Sequence, residues 1–518
     1  MALGLTPPGT QSERDSLNKP APESPVDALD DDVGETKAVW RHARANRAHV
    51  VVDAADYFDV IQAAMINAKQ RIMLIGWDFD TRISLFRTRK KVDGPPKRLG
   101  EYIIWLADRS PDLEIKILKW NFGALKMFGR GSTLLDVARW AMHPQIELKL
   151  DSAHPLGCSH HQKIVVIDDQ FAVCGGIDMT SDRWDTSEHL DDHTGRKNPN
   201  GKPYGPWHDL TMLVEGDAAA ALGKLARMRW EHAGGAPMLP CRPQDESPWP
   251  ITLKAEYENV DVGISRTRAE YENCPPIFEV EELFIEQILR AKHFIYAENQ
   301  YFASRKIAEA IALRMVEENP PEVFIVTSEC ADGWLEQKAM DGARARLIRS
   351  IGENDVHDRF SINIPYTANG TAIYVHAKLM IVDDEIVRVG SANINNRSLG
   401  LDGECDVHID AAVQGNEGTK TAVSNLRHRL LAEHCGVNTE VMAEMLDSCA
   451  TMREAVLKLT KPGRHLERLV LPELTDAEKT LADQGILDPE SPDELFEPFA
   501  KKSIFSRSRI LHAPGYES

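Results

Sequence analysis

Two stretches of this chain, HQKIVVIDDQFAVCGGID (161–178) and HAKLMIVDDEIVRVGSAN (376–393), align with each other without a gap. The alignment pairs three polar residues of each stretch, His161 with His376, Lys163 with Lys378 and Asp168 with Asp383. A glycine follows each aspartate after seven residues, at positions 175 and 390. Residues two apart in a strand point to the same side of a sheet. Each histidine is therefore predicted to share a side with its lysine.

The similarity extends to both sides of these stretches. An amphipathic helix that ends in Ala-Lys and runs into an apolar strand occurs at 56–79 and again at 281–302. The strand-like segments EIKILKW (114–120) and EVFIVTS (322–328) follow in the same order. The paired histidines are 215 residues apart (376 − 161). The chain therefore reads as two copies of one unit, which predicts an α/β fold of two similar sandwich repeats, each a mixed sheet flanked by helices.

The repeat also predicts the domain boundaries. Residues 1–37 are rich in Pro, Ser, Asp and Glu and are interpreted as a disordered tail. The first repeat is expected at 38–250 and the second at 251–417, with a helical C-terminal extension at 418–518. The sequence leaves open whether those last helices complete the outer layer of the second repeat or form a separate subdomain.

Composition narrows the class of protein. The 518 residues carry a formal charge of −20, which argues against general nucleic-acid coating. The basic cluster 87–98 is interpreted as an exposed loop, with contact to an anionic lipid surface as the alternative. We see no apolar run of about 20 residues and no signal peptide, so the prediction is a cytoplasmic protein without a transmembrane segment, with export without a cleaved signal left open. The eight scattered cysteines lack a C-x-x-C pair and are interpreted as free thiols.

The pattern H-x-K-x-x-x-x-D is weak evidence when it occurs once. A strand with a polar N-terminal end would account for the residues from Lys163 to Asp168. It gives no reason for a histidine to recur two residues before the lysine, at the equivalent place of a repeat. Two complete copies therefore indicate a site to which both repeats contribute.

At these residues the chain resembles the phospholipase D superfamily, whose signature is two His-Lys-Asp motifs. Further blocks are similar to the eukaryotic-type branch, in the same order: GGIDMTSDRWD (175–185), PWHDL (206–210), IYAENQYF (295–302) and GSANINNRSLGLDGECD (390–406). The resemblance covers about 50 to 410. It implies one active site shared between the two repeats. With only about 50 residues before the first repeat, it suggests a minimal, bacterial-style core without a lipid-targeting module.

The resemblance also implies roles for the paired residues. His161 is the expected nucleophile, which forms a phosphohistidine, and His376 is the expected general acid and then general base. Lys163 and Lys378 are expected to hold the phosphoryl oxygens, with Asn393 as a further donor. An imidazole with an ordinary pKa near 6.5 is suited to both roles at neutral pH. We find no carboxylate cluster suited to two metals and no Cys/His ligand spacing, so we expect no metal and no other cofactor in the reaction.

Four acidic residues complete the candidate catalytic set. Asp168 and Asp383 belong to the motif, but strand alternation points them away from the lysines, so they are expected to hold backbone or structural contacts. A nucleophilic imidazole needs an acceptor for its other nitrogen. The resemblance suggests a crossed arrangement, with Glu404 behind His161 and Asp209 behind His376. For Asp209 the alternative is an acid in a surface turn.

Several other residues leave alternatives open. His160 is interpreted as a structural histidine, as are His154, His189 and His208, although His208 could also line the cleft. The aromatic residues near the ends of the motifs either form a wall for a quaternary ammonium head group or pack the core beneath the site. They are Trp77, Trp184, Trp207 and Tyr301. The glycines at 175, 176 and 390 are expected to let the backbone approach the phosphate.

The leading hypothesis is a phospholipase D. It would hydrolyse the distal phosphodiester of phosphatidylcholine or phosphatidylethanolamine to phosphatidic acid and the free alcohol, with transfer of the phosphatidyl group to added alcohols. The alternatives are a cardiolipin-synthase-like phosphatidyltransferase, a nuclease of the same superfamily, and a non-enzymatic binding module. The missing membrane spans weigh against the synthase, the charge against the nuclease, and the two complete motifs against the binding module. The expected partner is a phospholipid at a membrane surface, bound peripherally and transiently by a monomer, without nucleic acid.

Overall fold

The computed structural model describes residues 34–85, 94–121, 131–329, 344–459 and 462–469. Most of the predicted tail, residues 1–33, lies outside the described residues, and so do 470–518 of the expected C-terminal extension and most of the basic cluster 87–98. Among the described residues, no helix is both long and apolar enough to cross a membrane. The described cysteines at 158, 174, 241, 274, 405, 435 and 449 are free thiols.

Strands and helices alternate along both halves, as the pattern of apolar runs predicts. The first half contains β1 (Arg41–Val52), α1 (Ala54–Ile66), β2 (Arg71–Gly76), α2 (Leu99–Arg109), β3 (Glu114–Trp120), α3 (Thr133–Met142), β4 (Ile146–Asp151), β5 (Ile164–Ile167), β6 (Phe171–Gly175), β7 (Trp207–His208), β8 (Leu210–Gly216) and α4 (Asp217–His232).

The second half repeats this order. It contains β9 (Tyr257–Arg268), β10 (Ile277–Phe278), α5 (Glu279–Arg290), β11 (Phe294–Asn299), α6 (Arg305–Met315), β12 (Glu322–Val326), β13 (Phe360–Tyr366), β14 (Tyr374–Val375), β15 (Lys378–Val382), β16 (Ile386–Gly390), α7 (Asn396–Gly400), β17 (Glu404–Asp410), α8 (Lys420–Cys435), α9 (Thr439–Asp447), α10 (Met452–Lys458) and β18 (His465–Arg468).

The strands of both halves join in one mixed sheet with a nearly symmetric order. From the central antiparallel pair β1–β9, one wing runs β8-β6-β5-β2-β3-β4 and the other runs β17-β16-β15-β11-β12-β13. Strand β18 pairs with β13 and extends the second wing. In both wings the outer strands are parallel and the motif strand, β5 or β15, is antiparallel to its neighbours. The fold is therefore two similar α/β repeats, as the internal similarity predicts.

Three apolar cores explain why the motif strands are apolar throughout. Strands β5 and β15 are buried along their whole length, because helices cover both faces of each wing. Helices α1 and α2 cover one face of the first wing, and α5 and α6 cover one face of the second. The opposite faces share a single core with α4 and α8. Both wings are thereby fixed to each other through a common interior.

Helix α8 lies within the residues predicted as a C-terminal extension. It follows β17 as α4 follows β8, and both helices contribute apolar side chains to the shared core. Its side chains Leu426, Leu430 and Leu431 are buried there. Helix α8 therefore lies in the interior that both wings share, not in the outer layer of the second repeat, and the boundary at 418 stays a prediction.

Candidate active site

Loops from the two halves cross where the motif strands begin. The backbone N–H of His161 donates to the carbonyl of Gly403 in the second half, at 2.9 Å. The backbone N–H of His376 donates to the carbonyl of His208 in the first half, at 2.8 Å. Strands β7 and β14 also pair in parallel just before this point. Backbone pairing between the halves therefore brings each histidine next to the acidic residues of the other half.

His161 is held by a carboxylate from the opposite half. Its Nδ1 lies 3.0 Å and 3.1 Å from the two carboxylate oxygens of Glu404, the first residue of β17. Glu404 is fully buried, and the hydroxyl of Ser391 donates to its Oε2. When Nδ1 carries the proton, Nε2 has a free lone pair.

His376 has the corresponding contact in the other direction. Its Nδ1 lies 2.7 Å from Oδ2 of Asp209, which is buried immediately after β7. Gly176 leaves the space for this carboxylate, because a Cβ at that position would lie 2.1 Å from Asp209 Oδ1. A Cβ at Gly390 would likewise meet Asp406, so acidic side chains fill the space that was expected to bring backbone close to a phosphate.

The two lysines lie on the same side as their histidines and are both buried. Lys163 Nζ donates to the carbonyl of His161 at 2.7 Å and lies 3.3 Å from Asp178 Oδ2. Lys378 Nζ donates to Gln300 Oε1 at 3.2 Å and to the carbonyl of its own histidine. Each ammonium group is fixed by its neighbours, so its position is set before a ligand binds.

Both histidines line one cleft of about 490 Å³ between the halves. Asn393 and Asp178, which the alignment of 161–178 with 376–393 pairs with each other, also line it, so the two halves differ at this position of the cleft. Several further polar lining residues were not singled out from the sequence, among them Arg183, Gln300 and Tyr374. Arg183 and Gln300 fall inside the quoted blocks 175–185 and 295–302, which was the available signal.

The aromatic residues divide between the two interpretations. Trp77, Trp207 and Tyr301 line the cleft, and the Trp207 ring centroid lies 5.2 Å from that of His376. Trp184 is instead buried in the core of the first half, with its ring centroid 5.0 Å from His193. The Trp207 ring, however, already stacks on Tyr374 and has the Arg183 guanidinium 4.2 Å from its centroid, so lining the cleft does not by itself make an aromatic face accessible to a ligand.

Burial and the clustered positive charge govern the protonation of the site. Burial first, and then the charge of Lys163, lowers the pKa of His161 well below its usual value. Burial and then Lys378 do the same for His376. Burial raises the pKa of Glu404 to about 8 and lowers the pKa of Lys378 to about 7. The surroundings therefore disfavour charge on these groups, and an anion between the histidines would favour their protonated forms.

The aspartates of the motif lie at the other end of their strands. Asp168 accepts hydrogen bonds from the backbone N–H groups of residues 69, 70 and 71, at 2.7, 2.8 and 2.7 Å. Asp383 accepts from residues 292, 293 and 294, at 2.7, 2.9 and 2.8 Å. Neither is among the described residues that line the cleft. The motif had made them candidate catalytic residues; their contacts are instead structural, because they fasten the turn after each helix to its motif strand.

His160 also faces away from the cleft. Its Nε2 lies 3.2 Å from Asp151 Oδ1 and 3.1 Å from the carbonyl of Ala153. The adjacent residue His161 alone of this pair enters the cleft. His189 and His208 are fully buried and lie close to Asp53 and Glu433.

The fold and this doubled His-Lys arrangement define a class of two-repeat α/β proteins with one site between the repeats. The sequence profile described as phospholipase D matches residues 64–262 and 337–461, more than half of the chain. The chain belongs to the phospholipase D family.

Curated relatives agree with this assignment. The chain is 26% identical over 472 residues to phospholipase D A of Dictyostelium discoideum, and 26% identical over 530 residues to phospholipase D alpha 1 of Carica papaya. Each alignment covers 75% of this chain but only 36% and 64%, respectively, of the relative. Among solved structures, the phosphatidylserine synthase of Haemophilus influenzae has a similar fold, with a TM-score of 0.52 and 12% identity over 84% of this chain and 99% of that one.

Proposed function

We propose that this protein is a phosphodiesterase of the phospholipase D type, which cleaves the distal phosphodiester of glycerophospholipids through a phosphohistidine. One observation carries the proposal: two histidines in one cleft, each with Nδ1 held by a buried carboxylate of the opposite half. This arrangement leaves both Nε2 atoms for chemistry at one phosphate. The lysines supply the positive charge that a phosphoryl transition state requires.

In the first step, Nε2 of His161 attacks phosphorus as the bond from phosphorus to the head-group oxygen breaks. His376 Nε2–H protonates the departing oxygen, so the head group leaves as a neutral alcohol. The phosphatidyl group remains on His161. Glu404 stabilises the positive charge that develops on the attacking imidazole, in the same way that a carboxylate supports histidine in a hydrolase triad.

In the second step, His376 acts as the base. It removes a proton from water, whose oxygen attacks phosphorus as the bond to Nε2 of His161 breaks. The products are phosphatidic acid and the free enzyme. A primary alcohol in place of water gives a phosphatidyl alcohol by the same step, which predicts transphosphatidylation.

The lipid substrate class follows from the family and the cleft. The relatives named above are phospholipases D, and the quoted blocks favour the eukaryotic-type branch. Trp77, Trp207 and Tyr301 offer aromatic surfaces to a cationic head group such as choline. The net charge of −20 disfavours extended phosphate polymers, while one diester needs only the local charge of the cleft. We infer peripheral, transient binding at a membrane surface.

The decisive experiment is a substrate panel with the full chain. Phosphatidylcholine vesicles are incubated with and without ethanol, and single-stranded and duplex DNA are tested in parallel. We expect phosphatidic acid, its partial replacement by phosphatidylethanol, and no DNA cleavage. Hydrolysis without any phosphatidylethanol would contradict the covalent intermediate. Cleavage of DNA but not of lipid would favour a nuclease.

Matched variants separate the roles of the two histidines. Phosphatidyl-p-nitrophenol carries a leaving group that departs without protonation. His376→Ala should therefore still release a burst of p-nitrophenol from this substrate and accumulate the phosphorylated enzyme, while His161→Ala should release none. A burst from His161→Ala but not from His376→Ala would reverse the assignment.

A further inference from the structure

Beneath the cleft, a second group of ionisable side chains lies entirely in the interior. Asp53, His189, His208 and Glu433 are all buried and come from distant segments of both halves. One atom of each lies within 4.8 Å of the others. His208 Nδ1 lies 3.2 Å from Asp53 Oδ1 and 2.9 Å from Glu433 Oε1, and His189 Nε2 lies 3.1 Å from the same Glu433 oxygen and 3.7 Å from Asp53 Oδ2.

Hydrogen bonds account for only part of this group: His189 Nε2 and Glu433 Oε1 form one at 3.1 Å. Within the described part of the chain, His208 Nδ1 and Asp53 Oδ2 have no hydrogen-bond partner, although both residues are buried and both atoms face the cluster. The contacts of His208 Nδ1 to the two carboxylates are short but lack hydrogen-bond geometry. A buried polar atom without a partner calls for an explanation, and a bound ion is one that would serve both of these atoms at once.

The outward nitrogens of both imidazoles support the same interpretation. His189 Nδ1 lies 2.9 Å from Asp185 Oδ2, and His208 Nε2 lies 2.8 Å from Glu298 Oε2. Arg196 and the backbone N–H of residue 207 in turn hold Asp185. In each case the outer nitrogen, when it carries the proton, donates to the carboxylate behind it, so the inner nitrogen of a neutral imidazole presents a lone pair to the cluster. Metal-binding histidines are oriented by this kind of contact.

We propose that Asp53, His189, His208 and Glu433 bind one structural divalent metal ion, with zinc as the best fit. Ligands about 2.0–2.1 Å from a tetrahedral ion lie about 3.3–3.4 Å from one another. The four nitrogen–oxygen separations of 2.9, 3.1, 3.2 and 3.7 Å bracket that distance. Two neutral imidazoles and two carboxylates also balance the charge of a dication, which matters in the interior.

The sequence could not reveal this site, because its ligands share no spacing motif. Their positions, 53, 189, 208 and 433, span 380 residues (433 − 53). The expectation that the reaction uses no metal is unaffected, since all four positions are filled by protein and no open position remains for a substrate.

The site would join the halves directly below the catalytic residues. His208 lies in β7, next to Asp209, and its carbonyl accepts the backbone N–H of His376. Glu433 lies in α8, in the second half. An ion at this point would therefore fix α8 to the strand that positions Asp209 behind its histidine.

The test measures metal content and stability rather than turnover, so its outcome is independent of the proposed function. The purified full chain is analysed for metals by mass spectrometry, then stripped with dipicolinate and titrated with zinc chloride or cobalt chloride. We expect about one zinc per chain, a melting temperature that falls on stripping and recovers with zinc, and a cobalt visible spectrum of the tetrahedral type. No bound metal together with no response to zinc or cobalt would overturn the proposal and identify the cluster as a protonated ion-pair network.

Variants locate the ion. Glu433→Gln should abolish zinc binding, and Asp185→Asn, which weakens the support of His189 without removing a proposed ligand, should weaken it about 10–100-fold. His143→Gln, at a surface histidine next to Asp108, is the matched control and should leave zinc affinity unchanged. Should Glu433→Gln fail to fold, the Asp185→Asn titration and the cobalt spectrum of the wild type decide the matter. Unchanged zinc affinity in Asp185→Asn would place the metal elsewhere and refute the site.

Discussion

Replacing Glu404 by glutamine tests the central feature of the site, because the change keeps the shape of the side chain and removes its charge. His161 Nδ1 lies 3.0 and 3.1 Å from the two oxygens of Glu404. A glutamine amide in this place would donate to Nδ1 and drive the ring to the tautomer with the proton on Nε2. That tautomer has no lone pair for attack on phosphorus. Measured above the Glu404 pKa of about 8, where the wild-type carboxylate is ionised, kcat should fall by about 10⁴-fold, as for the aspartate-to-asparagine change in a hydrolase triad.

The same substitution should stabilise the protein at alkaline pH. Burial raises the pKa of Glu404 from 4.5 to about 8, which corresponds to about 5 kcal/mol against its ionised form. Because the folded-state pKa is above the unfolded one, the contribution of Glu404 to stability is fully present below pH about 4.5 and is lost as the pH rises to about 8. Glutamine has no such loss. The variant should equal the wild type near pH 4.5 and exceed it by up to about 5 kcal/mol above pH 8.

Two assays on the same preparations measure these effects. Phosphatidylcholine hydrolysis gives kcat, and urea unfolding at a series of pH values gives the free energy of unfolding. Glu404→Asp serves as the control, since it retains the charge and should recover part of the activity. A glutamine variant with more than a tenth of wild-type kcat would refute the tautomer argument. A glutamine variant that is less stable than the wild type at pH 8 would refute the prediction that burial disfavours the ionised form of Glu404.

Three further predictions follow from individual contacts. Burial lowers the pKa of Lys378 to about 7, so its side chain loses its charge above that pH. The affinity for diethyl phosphate, which is a monoanion over this whole pH range, should therefore fall by up to tenfold per pH unit above about 7, as measured by inhibition kinetics. Lys378→Arg should remove this pH dependence. Asp383→Asn should lower the free energy of unfolding, measured in urea, by about 3 kcal/mol, because three backbone N–H groups lose a charged acceptor. The kcat should not change. A fall in kcat without a loss of stability would contradict the structural role of Asp383. Arg183 lines the cleft, and we expect its guanidinium to contact the phosphate. Arg183→Gln should therefore lower kcat/KM for phosphatidylcholine by about 10–100-fold, and a near-normal value would exclude that contact.

Much of the fold was predictable, because local sequence patterns specify its strands and helices and the same patterns occur in both halves. The apolar runs, the helix-to-strand order and the gapless second copy predicted two α/β repeats, and the sheet has that symmetry. Helix α8 was harder to place, because its local sequence does not specify which part of the sheet it covers. Its assignment depends on the shared core, which forms only when both halves meet.

The candidate site was likewise predictable only in part. Strand alternation placed Lys163 beside His161 and pointed Asp168 away from both, as their contacts show. It could not distinguish Trp184, which is buried in the core, from Trp77, which lines the cleft. Both follow a motif segment, and only the packing around each ring separates them.

The sequence by itself determined the pair of His-Lys strands, since the side on which a residue lies depends on alternation over a few positions. The resemblance suggested which acid lies behind which histidine, but no local pattern could show it, because His161 and Glu404 are 243 residues apart and meet only through loops of opposite halves. The buried group of Asp53, His189, His208 and Glu433 depends on tertiary structure altogether. Its members have no local pattern, and their proximity arises from the closure of the two repeats around one interior.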